Sequence, residues 1–232
     1  MSAQTKILTP RAIMLTAIFT VLLPLLPMLV SGHWGWWEAW VYAAIYILGF
    51  AASRLLAARR HPDLLAERAR FMQAQDAKAW DKVLVLLLAL GGAVALIVAG
   101  LDHLHKWTPP FPLATKLVAL VVILLGSLLG SWALIENRFF SGTVRIQTER
   151  GHRVVSSGPY RFIRHPGYAG SLLYYLATPV LLDSVWTFIP VLQLMGVLIV
   201  RTALEDQTLQ AELAGYADYT QRTRYRLIPG IW

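Results

Sequence analysis

The residues with the clearest chemical potential lie in one polar stretch, 147–168, which reads QTERGHRVVSSGPYRFIRHPGY and separates two long apolar runs. Its side chains that can donate, stack or carry charge are Gln147, His152, Arg153, Tyr160, Arg161, Arg164, His165 and Tyr168. Free N–H groups at a helix start favour anionic groups, and tyrosine rings stack on bases or face cations. We therefore predict that the stretch folds over a nucleotide-like cofactor. The competing interpretation, a basic loop anchored by aromatics, fits each residue singly but not their combination.

A second group of ionisable residues, Arg201, Glu205 and Asp206, closes the last apolar run. Arg201 and Glu205 are four residues apart and share a helical face. One interpretation is an exposed intrahelical ion pair, worth roughly a few tenths of a kcal/mol. Arg201, however, directly follows the apolar GVLIV, where ionisable groups are costly and usually functional. We predict that Arg201 and Glu205 belong to a site.

The composition predicts a membrane protein. Of 232 residues 56% are hydrophobic and the mean hydropathy is +0.53, which is too apolar for an ordinary soluble domain. The absence of cysteine excludes disulfides, thiolate catalysis and thiolate metal sites. The net charge of +8 does not indicate nucleic-acid binding, because the basic residues flank apolar runs. His103 and His105 have only Asp102 nearby, so we interpret them as an interfacial loop and predict no metal site.

Apolar runs define the expected fold, an all-α polytopic bundle with about six transmembrane segments, since a span needs about 20 apolar residues. The six segments are 11–31, 36–57, 83–101, 113–135, 167–182 and 185–204. The fifth is short, so five full spans and one partial span is an alternative. Residues 59–82 are too polar to span and predict either a short interfacial helix or a solvated connection. Beyond the last span we expect a C-terminal helix, bent or ended near Gly215.

The basic residues predict the orientation. All 21 Lys and Arg residues except Lys106 and Lys116 fall on one side of the six segments. By the positive-inside rule both termini and the polar stretch are cytoplasmic, and the membrane is the inner one if the source is bacterial. The opposite side carries a predicted interfacial belt of tryptophans: Trp34, Trp36, Trp37, Trp40, Trp107 and Trp186.

The common catalytic and nucleotide-binding signatures are missing, namely G-x-G-x-x-G, G-x-x-x-x-G-K-[ST], H-E-x-x-H and G-x-S-x-G. Instead, GPYRFIRHPGYAG, followed by RTALEDQTL and GYADY, resembles the isoprenylcysteine carboxyl methyltransferase family, which is related to the membrane phospholipid methyltransferases. The resemblance spans roughly residues 144–226. It implies two regions: 1–140, a transmembrane region facing lipid and substrate, and 141–232, a methyltransferase core with its cofactor loop, helical hairpin and C-terminal helix.

The resemblance also implies a cofactor, S-adenosylmethionine, bound without a Rossmann domain and released as S-adenosylhomocysteine. The residues that it places at the cofactor are Gln147, His152, Arg153, Val154, Val155, Tyr160, His165, Pro166, Gly167, Tyr168 and Glu205. Arg201 matches an arginine near the substrate, and Arg201 and Glu205 are the catalytic candidates. The connection between Gln147 and His152 is shorter than in eukaryotic members, and Asp206 replaces the more usual second glutamate.

We therefore expect an integral membrane methyltransferase whose partners are the bilayer and a lipophilic or lipidated acceptor. The first candidate acceptor is a prenylated cysteine carboxylate, which is ionised near neutral pH and needs no general base; Arg201 would orient it. The alternative is a phospholipid or other amine, which needs Glu205 or a tyrosine as base. Rivals from other classes are an NADPH-dependent reductase of the sterol type and a non-enzymatic membrane protein or small transporter.

Overall fold

The structure, a computed structural model, describes Met14 and residues 18–69 and 76–232, and over these residues it contains helices and loops but no strand. A π-helical turn, Ile18–Leu22, precedes the first α-helix. The α-helices are α1 (Leu23–Ser31), α2 (Trp37–Arg60), α3 (Pro62–Ala69), α4 (Ala79–His105), α5 (Leu113–Glu136), α6 (Pro166–Leu181), α7 (Phe188–Glu212) and α8 (Tyr216–Arg222). Two 3₁₀ turns, Thr148–Arg150 and Gly158–Arg161, lie between α5 and α6.

The predicted all-α polytopic membrane bundle is confirmed. In the described part of the chain four helices, α2, α4, α5 and α7, are long and apolar enough to cross a membrane. Of the other two predicted segments, the fifth forms α6 with 16 residues, against about 20 for a straight span. The described part of the first is helical over residues 18–31, which include the 9 residues of α1. Residues 11–13 and 15–17 of the first predicted segment lie outside the described residues. The protein is therefore an integral membrane protein with four full-length candidate spans.

Six helices pack in a cyclic order, α1, α2, α5, α6, α7, α4 and back to α1, and α2 also contacts α6. The outward faces of the long helices carry exposed apolar side chains, as expected for contact with lipid. Examples are Leu86, Leu90, Val118, Val121, Leu125, Leu128, Ile189 and Leu192. The inward faces surround an apolar cavity, which is described with the site below.

The closest helix pair in this ring is α5 and α6, and glycine permits it. A Cβ atom added to Gly126 would lie 2.6 Å from the Gly170 carbonyl oxygen, and one added to Gly170 would lie 2.5 Å from the Gly126 oxygen. Small residues allow backbones to approach this closely in membranes, where apolar side chains gain little by leaving lipid. The pairing fixes the start of α6, which carries the HPGY motif, against the bundle.

The polar residues at the end of the bundle opposite that motif form a buried ionic cluster. Lys116 donates to Glu38 at 2.5 Å and to Asp183 at 2.5 Å, and all three side chains are nearly buried. Asp102 accepts from the Thr108 and Ser184 hydroxyls. The tryptophan belt is mostly exposed as predicted, but Trp36 is buried because it stacks on His103 at 3.7 Å. These contacts tie the loops at this end to the helices.

Helix α3 lies within the polar region 59–82, where the sequence predicts a short interfacial helix. Leu64 is fully buried and packs with Ala57 and Leu134, so α3 is docked on the bundle. Its carboxylates reach the polar stretch, where Asp63 accepts from Arg150 at 2.7 Å and Glu67 from Arg145 at 2.9 Å. Residues 70–75 lie outside the described residues.

Replacing Gly126 with alanine should destabilise the protein by about 1–3 kcal/mol, the usual cost of overpacking, because the new methyl group would meet the Gly170 backbone. The matched control is Gly130→Ala on the same helix, where the nearest atom outside its own helix lies 4.0 Å away. Thermal unfolding in one detergent would measure both. Equal melting temperatures for Gly126→Ala and the control would contradict the proposed role of close backbone packing.

Candidate functional site

A cleft of about 1000 Å³, its open mouth included, lies at the end of the bundle that carries the HPGY motif. Its walls come from the start of α6, the end of α7, helix α8 and the loops between α5 and α6. The lining residues are Arg68, Asn137, Phe139, Phe140, Ser141, Gly142, Thr143, Val144, Arg145, Gln147, His152, Arg153, Val154, Val155, Tyr160, Arg164, His165, Gly167, Tyr168, Arg201, Glu205, Leu209, Leu213, Tyr216 and Tyr219. The cleft is thus rich in aromatic and basic groups.

The loop that forms one wall is held by Gln147, whose side chain is almost fully buried. Its amide nitrogen donates to the Phe139 carbonyl at 2.8 Å, and its amide oxygen accepts from Arg150. The chain then turns at Gly151, whose φ of +63° favours glycine. The Gln147 amide thereby fixes the loop, while its position in the cleft wall agrees with the predicted location.

His152 follows this turn and stabilises it as a neutral imidazole. Its Nδ1 accepts the Gln147 backbone N–H at 3.3 Å, and its ring packs on Phe139 at 4.6 Å. Burial, followed by the positive charges of Arg150 and Arg145, lowers the pKa of His152 to about 4. The ring is therefore uncharged at neutral pH, and Nε2 is the protonated nitrogen.

Tyr160 and Tyr219 form an aromatic part of the cleft wall. The Tyr160 hydroxyl lies 3.3 Å from the Ala133 carbonyl and 3.3 Å from the Asn137 amide nitrogen. Tyr219 donates to the Tyr160 carbonyl at 2.6 Å and its ring lies 5.4 Å from that of Tyr216. Burial raises the pKa of Tyr160 well above its usual range and that of Tyr219 to about 12, so both are neutral phenols.

The HPGY motif is anchored by Asp206, whose side chain is fully buried. Asp206 accepts from Arg164 at 2.8 and 2.9 Å and lies 3.2 Å from His165 Nε2. It also accepts from Tyr216 at 3.1 Å and from Arg226 at 2.8 Å. One carboxylate thus joins the start of α6, helix α8 and the C-terminal tail to α7.

Tyr168 and Glu205 meet in the cleft. The Tyr168 hydroxyl donates to Glu205 Oε2 at 2.5 Å, and the Tyr168 ring lies parallel to that of His165 at 5.8 Å. The pairing leaves Oε1 of Glu205 without a hydrogen bond from the residues that the structure describes. A carboxylate and a tyrosine face side by side can bind a cationic ligand.

Arg201 is paired with a residue that the sequence analysis did not single out. Its Nε and Nη2 donate to Asp81 at 2.6 and 3.2 Å, and Nη2 also donates to the Gly142 carbonyl at 3.0 Å. Asp81 is fully buried in the first turn of α4 and accepts the Val144 N–H at 2.7 Å. The alternative of an Arg201–Glu205 ion pair is wrong, since each uses a different partner.

Of the residues predicted at the site, all but Pro166 line the cleft. Pro166 is instead the first residue of α6, where proline is well tolerated. The sequence analysis missed the segment 139–145 and Asp81, whose only sequence signal is a charge in the first turn of a long apolar helix. It also missed the anchoring role of Asp206. The roles of the predicted residues toward ligands stay predictions.

A second cavity, of about 1650 Å³ with its mouth included, lies inside the ring of helices and is lined by residues of all six. Its surface is mainly apolar, with tyrosines among the lining groups: Leu23, Tyr42, Ile45, Tyr46, Leu88, Leu134, Tyr174, Tyr175, Val191 and Leu194. Arg68, Phe140 and Gly167 line both this cavity and the polar cleft. The two spaces therefore adjoin at these three residues.

The lowered pKa of His152 predicts a pH dependence. The unfolded imidazole binds a proton near pH 6.5 and the folded one near pH 4, so its contribution to stability is complete above pH 6.5 and is lost as the pH falls toward 4. His152→Asn, which keeps an acceptor but does not titrate, should show a smaller fall in melting temperature between pH 7 and 4.5. Parallel curves for the two proteins would contradict this assignment.

Comparison with known proteins relates the chain to one family. Residues 117–211 match the sequence profile of the isoprenylcysteine carboxyl methyltransferase (ICMT) family. A probable protein-S-isoprenylcysteine O-methyltransferase of Oryza sativa subsp. indica is 28% identical over 151 residues, 62% of this chain and 71% of that protein. Protein-S-isoprenylcysteine O-methyltransferase B of Arabidopsis thaliana is 29% identical over 109 residues, 42% of this chain and 52% of that protein.

A relative with a different name is delta(14)-sterol reductase TM7SF2 of Mus musculus, 33% identical over 95 residues, 40% of this chain but 23% of that protein. The family match starts earlier than the resemblance read from motifs and ends within α7, before GYADY. It contains the RHPGY sequence and the segment Arg201–Asp206, which together contribute Arg164, His165, Gly167, Tyr168, Arg201 and Glu205 to the lining of the cleft. These findings agree with the resemblance read from the motifs: residues 117–211 of the chain carry the sequence profile of the isoprenylcysteine carboxyl methyltransferase family.

Proposed function

We propose that the protein transfers a methyl group from S-adenosylmethionine to the carboxylate of a prenylated cysteine or a similar amphiphile. The observation that carries this proposal is the junction of the two spaces, where a polar aromatic cleft adjoins an apolar cavity at Arg68, Phe140 and Gly167. A methyl donor with polar ends suits the first space, and a prenyl chain suits the second. The names of the relatives in Oryza sativa and Arabidopsis thaliana support the same reaction class.

The cleft fits the proposed cofactor in charge and shape. The free Oε1 of Glu205 can accept from the cofactor's ammonium or ribose groups, and the faces of Tyr160 and Tyr168 can stabilise a sulfonium. His152, Val154 and Val155 would cover the cofactor from the loop side. When bound, S-adenosylmethionine supplies an electrophilic methyl group. The residues of the chain would bind and orient the two reactants, because positioning is the main requirement for a direct displacement.

A carboxylate acceptor suits the groups that the cleft contains. A carboxyl group with a pKa near 4 is ionised at neutral pH and needs no proton removed. Tyr160 and Tyr219 are held as neutral phenols by burial, and His152 is engaged with the loop backbone. Arg201, already paired with Asp81, would position the wall beside the acceptor and contact it through Nη1. Glu205 and Arg201 remain the candidate catalytic residues.

The proposal includes an orientation and a division of the chain. Both termini and the cleft would face the cytoplasm, because the lysines and arginines cluster at that end. Residues 141–232 would form the methyltransferase core and residues 1–140 the region facing lipid and substrate. Residues 1–140 supply α1, α2, α4 and α5 to the wall of the apolar cavity. The choice of acceptor would therefore depend largely on residues 1–140.

A second candidate is a reductase of the sterol type, favoured by the identity to the Mus musculus delta(14)-sterol reductase. Such an enzyme needs NADPH and a group that binds its phosphate. Arg145, Arg164 and Arg201 at the cleft are paired with carboxylates, so the candidates for that role are Arg68 and Arg153, which line the cleft without an ion pair among the described residues. Ligand binding therefore separates the two proposals.

Isothermal titration of the detergent-purified protein should show binding of S-adenosylhomocysteine and none of NADPH. Glu205→Gln should weaken the binding about tenfold, because a charge-assisted hydrogen bond is lost. The matched control is Glu212→Gln on the same helix, whose side chain pairs with Lys78 at the surface and whose affinity should equal that of the wild type. Binding of NADPH alone would favour the reductase, and equal affinities for the two variants would contradict the role of Glu205.

A further inference from the structure

Two arginines from the first half of the chain lie where the cleft and the apolar cavity meet. Arg54, near the end of α2, lines the apolar cavity, and Arg68, on α3, lines both spaces. They come together although 14 residues of sequence separate them, because α3 folds back on α2. Both precede residue 117, where the family match begins.

The hydrogen bonds of these two arginines are few and neutral. Arg54 Nη1 donates to the Ser53 hydroxyl at 3.0 Å, and its guanidinium lies 3.8 Å from the centre of the Phe50 ring. Arg68 Nη1 donates to the Phe140 carbonyl at 3.1 Å, with its guanidinium 5.4 Å from the Phe140 ring. Across residues 18–69 and 76–232 neither has an ion pair, whereas most arginines around the cleft have one.

The other arginines near the cleft differ from Arg54 and Arg68, because most of them have a carboxylate partner. Six arginines that line the cleft or hold its loops have carboxylates within 4 Å: Arg138 and Arg150 with Asp63, Arg145 with Glu67, Arg164 and Arg226 with Asp206, and Arg201 with Asp81. Arg153, which also lines the cleft, has no such partner among the described residues, but it is exposed to solvent. Among the described arginines that line the two spaces, Arg54 and Arg68 are the partly buried ones without a carboxylate partner.

Unpaired charge in a partly buried position is costly, because it loses hydration without gaining a counter-ion. Burial, followed by the charge of Arg201, lowers the pKa of Arg68 only to about 10, so this residue is charged at neutral pH. The positive charge of Arg54 adds to the electrostatic cost of placing unpaired charge at the junction. A bound anion at the junction would offset the cost.

We propose that Arg54 and Arg68 bind the carboxylate of the acceptor at the junction, and so determine that the enzyme takes an anionic acceptor. This inference rests on the proposed function. Arg201 contributes little net charge, because Asp81 neutralises it. The guanidinium pair lies on the side of the apolar cavity, where the polar end of an amphiphile would stop, and across the junction from Glu205, whose negative charge would repel a carboxylate from the cofactor side.

An anionic lipid headgroup would present the same chemistry to the two arginines, so the test must separate the two sources. The probes are S-farnesyl-N-acetylcysteine and its carboxamide, which differ only in the charge of the reactive end. Binding of each is measured by titration of the full chain saturated with S-adenosylhomocysteine, in nanodiscs of phosphatidylcholine alone and in nanodiscs with phosphatidylglycerol.

The wild type should bind the acid about tenfold to a hundredfold more tightly than the amide, the range expected for hydrogen bonds to a charged group. Arg54→Gln and Arg68→Gln should each reduce this preference strongly and leave the affinity for the amide unchanged. Arg54→Gln, at a residue outside the lining of the cleft, should also leave the affinity for S-adenosylhomocysteine unchanged. Arg54→Lys and Arg68→Lys should retain part of it. The matched control is Arg59→Gln, an exposed position on α2, which should behave as the wild type.

An unchanged preference in both glutamine variants, with S-adenosylhomocysteine still bound, would overturn the inference. So would a change confined to nanodiscs with phosphatidylglycerol, which would assign the pair to a lipid headgroup. If the wild type bound neither probe, that result would contradict both the inference and the proposed acceptor, a prenylated cysteine carboxylate. A wild type that prefers the acid but transfers no methyl group to it would contradict the proposed function alone.

Discussion

The buried carboxylate of Asp206 is the contact on which the geometry of the cleft depends. It lies near the end of an apolar helix and is held by two arginines, a histidine, a tyrosine and Gln210. Because its partners come from four separate parts of the chain, their positions are set together. Removing one member of such a buried charged network typically costs about 3–5 kcal/mol, so the loop, α6, α8 and the tail form one cooperative unit around the cleft.

A second buried carboxylate, Asp81, holds another part of the cleft wall in place. It fixes Arg201 and, through the Val144 N–H, the loop that follows α5. The first half of the chain is therefore more than a membrane anchor. It supplies Asp81 to the cleft, Asp63 and Glu67 to the basic loop, and most of the apolar cavity. Under the proposed function, cofactor binding and acceptor choice would be divided between two halves that adjoin at Gly167.

The sequence predicted the class of fold, because the apolar runs and their basic flanks follow directly from the physics of a bilayer. It also placed the HPGY motif, Glu205 and Arg201 at one site, since their types and order match a family. It could not predict that Arg201 pairs with Asp81, 120 residues away, or that Arg54 and Arg68 lack carboxylate partners among the described residues. Such pairings depend on helix packing, here on glycine contacts that no single motif specifies. Six spans were expected because length was judged by hydropathy, but α6 has 16 residues, and part of the first predicted segment lies outside the described residues.

The most direct measurement is transfer of a radiolabelled methyl group from S-adenosylmethionine to S-farnesyl-N-acetylcysteine by the purified protein in nanodiscs. A carboxylate acceptor gives a methyl ester, which mild base hydrolyses to volatile labelled methanol. The junction of a polar cleft with an apolar cavity predicts base-labile product that depends on both substrates. A base-stable product on phospholipid, or no transfer together with NADPH oxidation when a sterol is supplied, would contradict it.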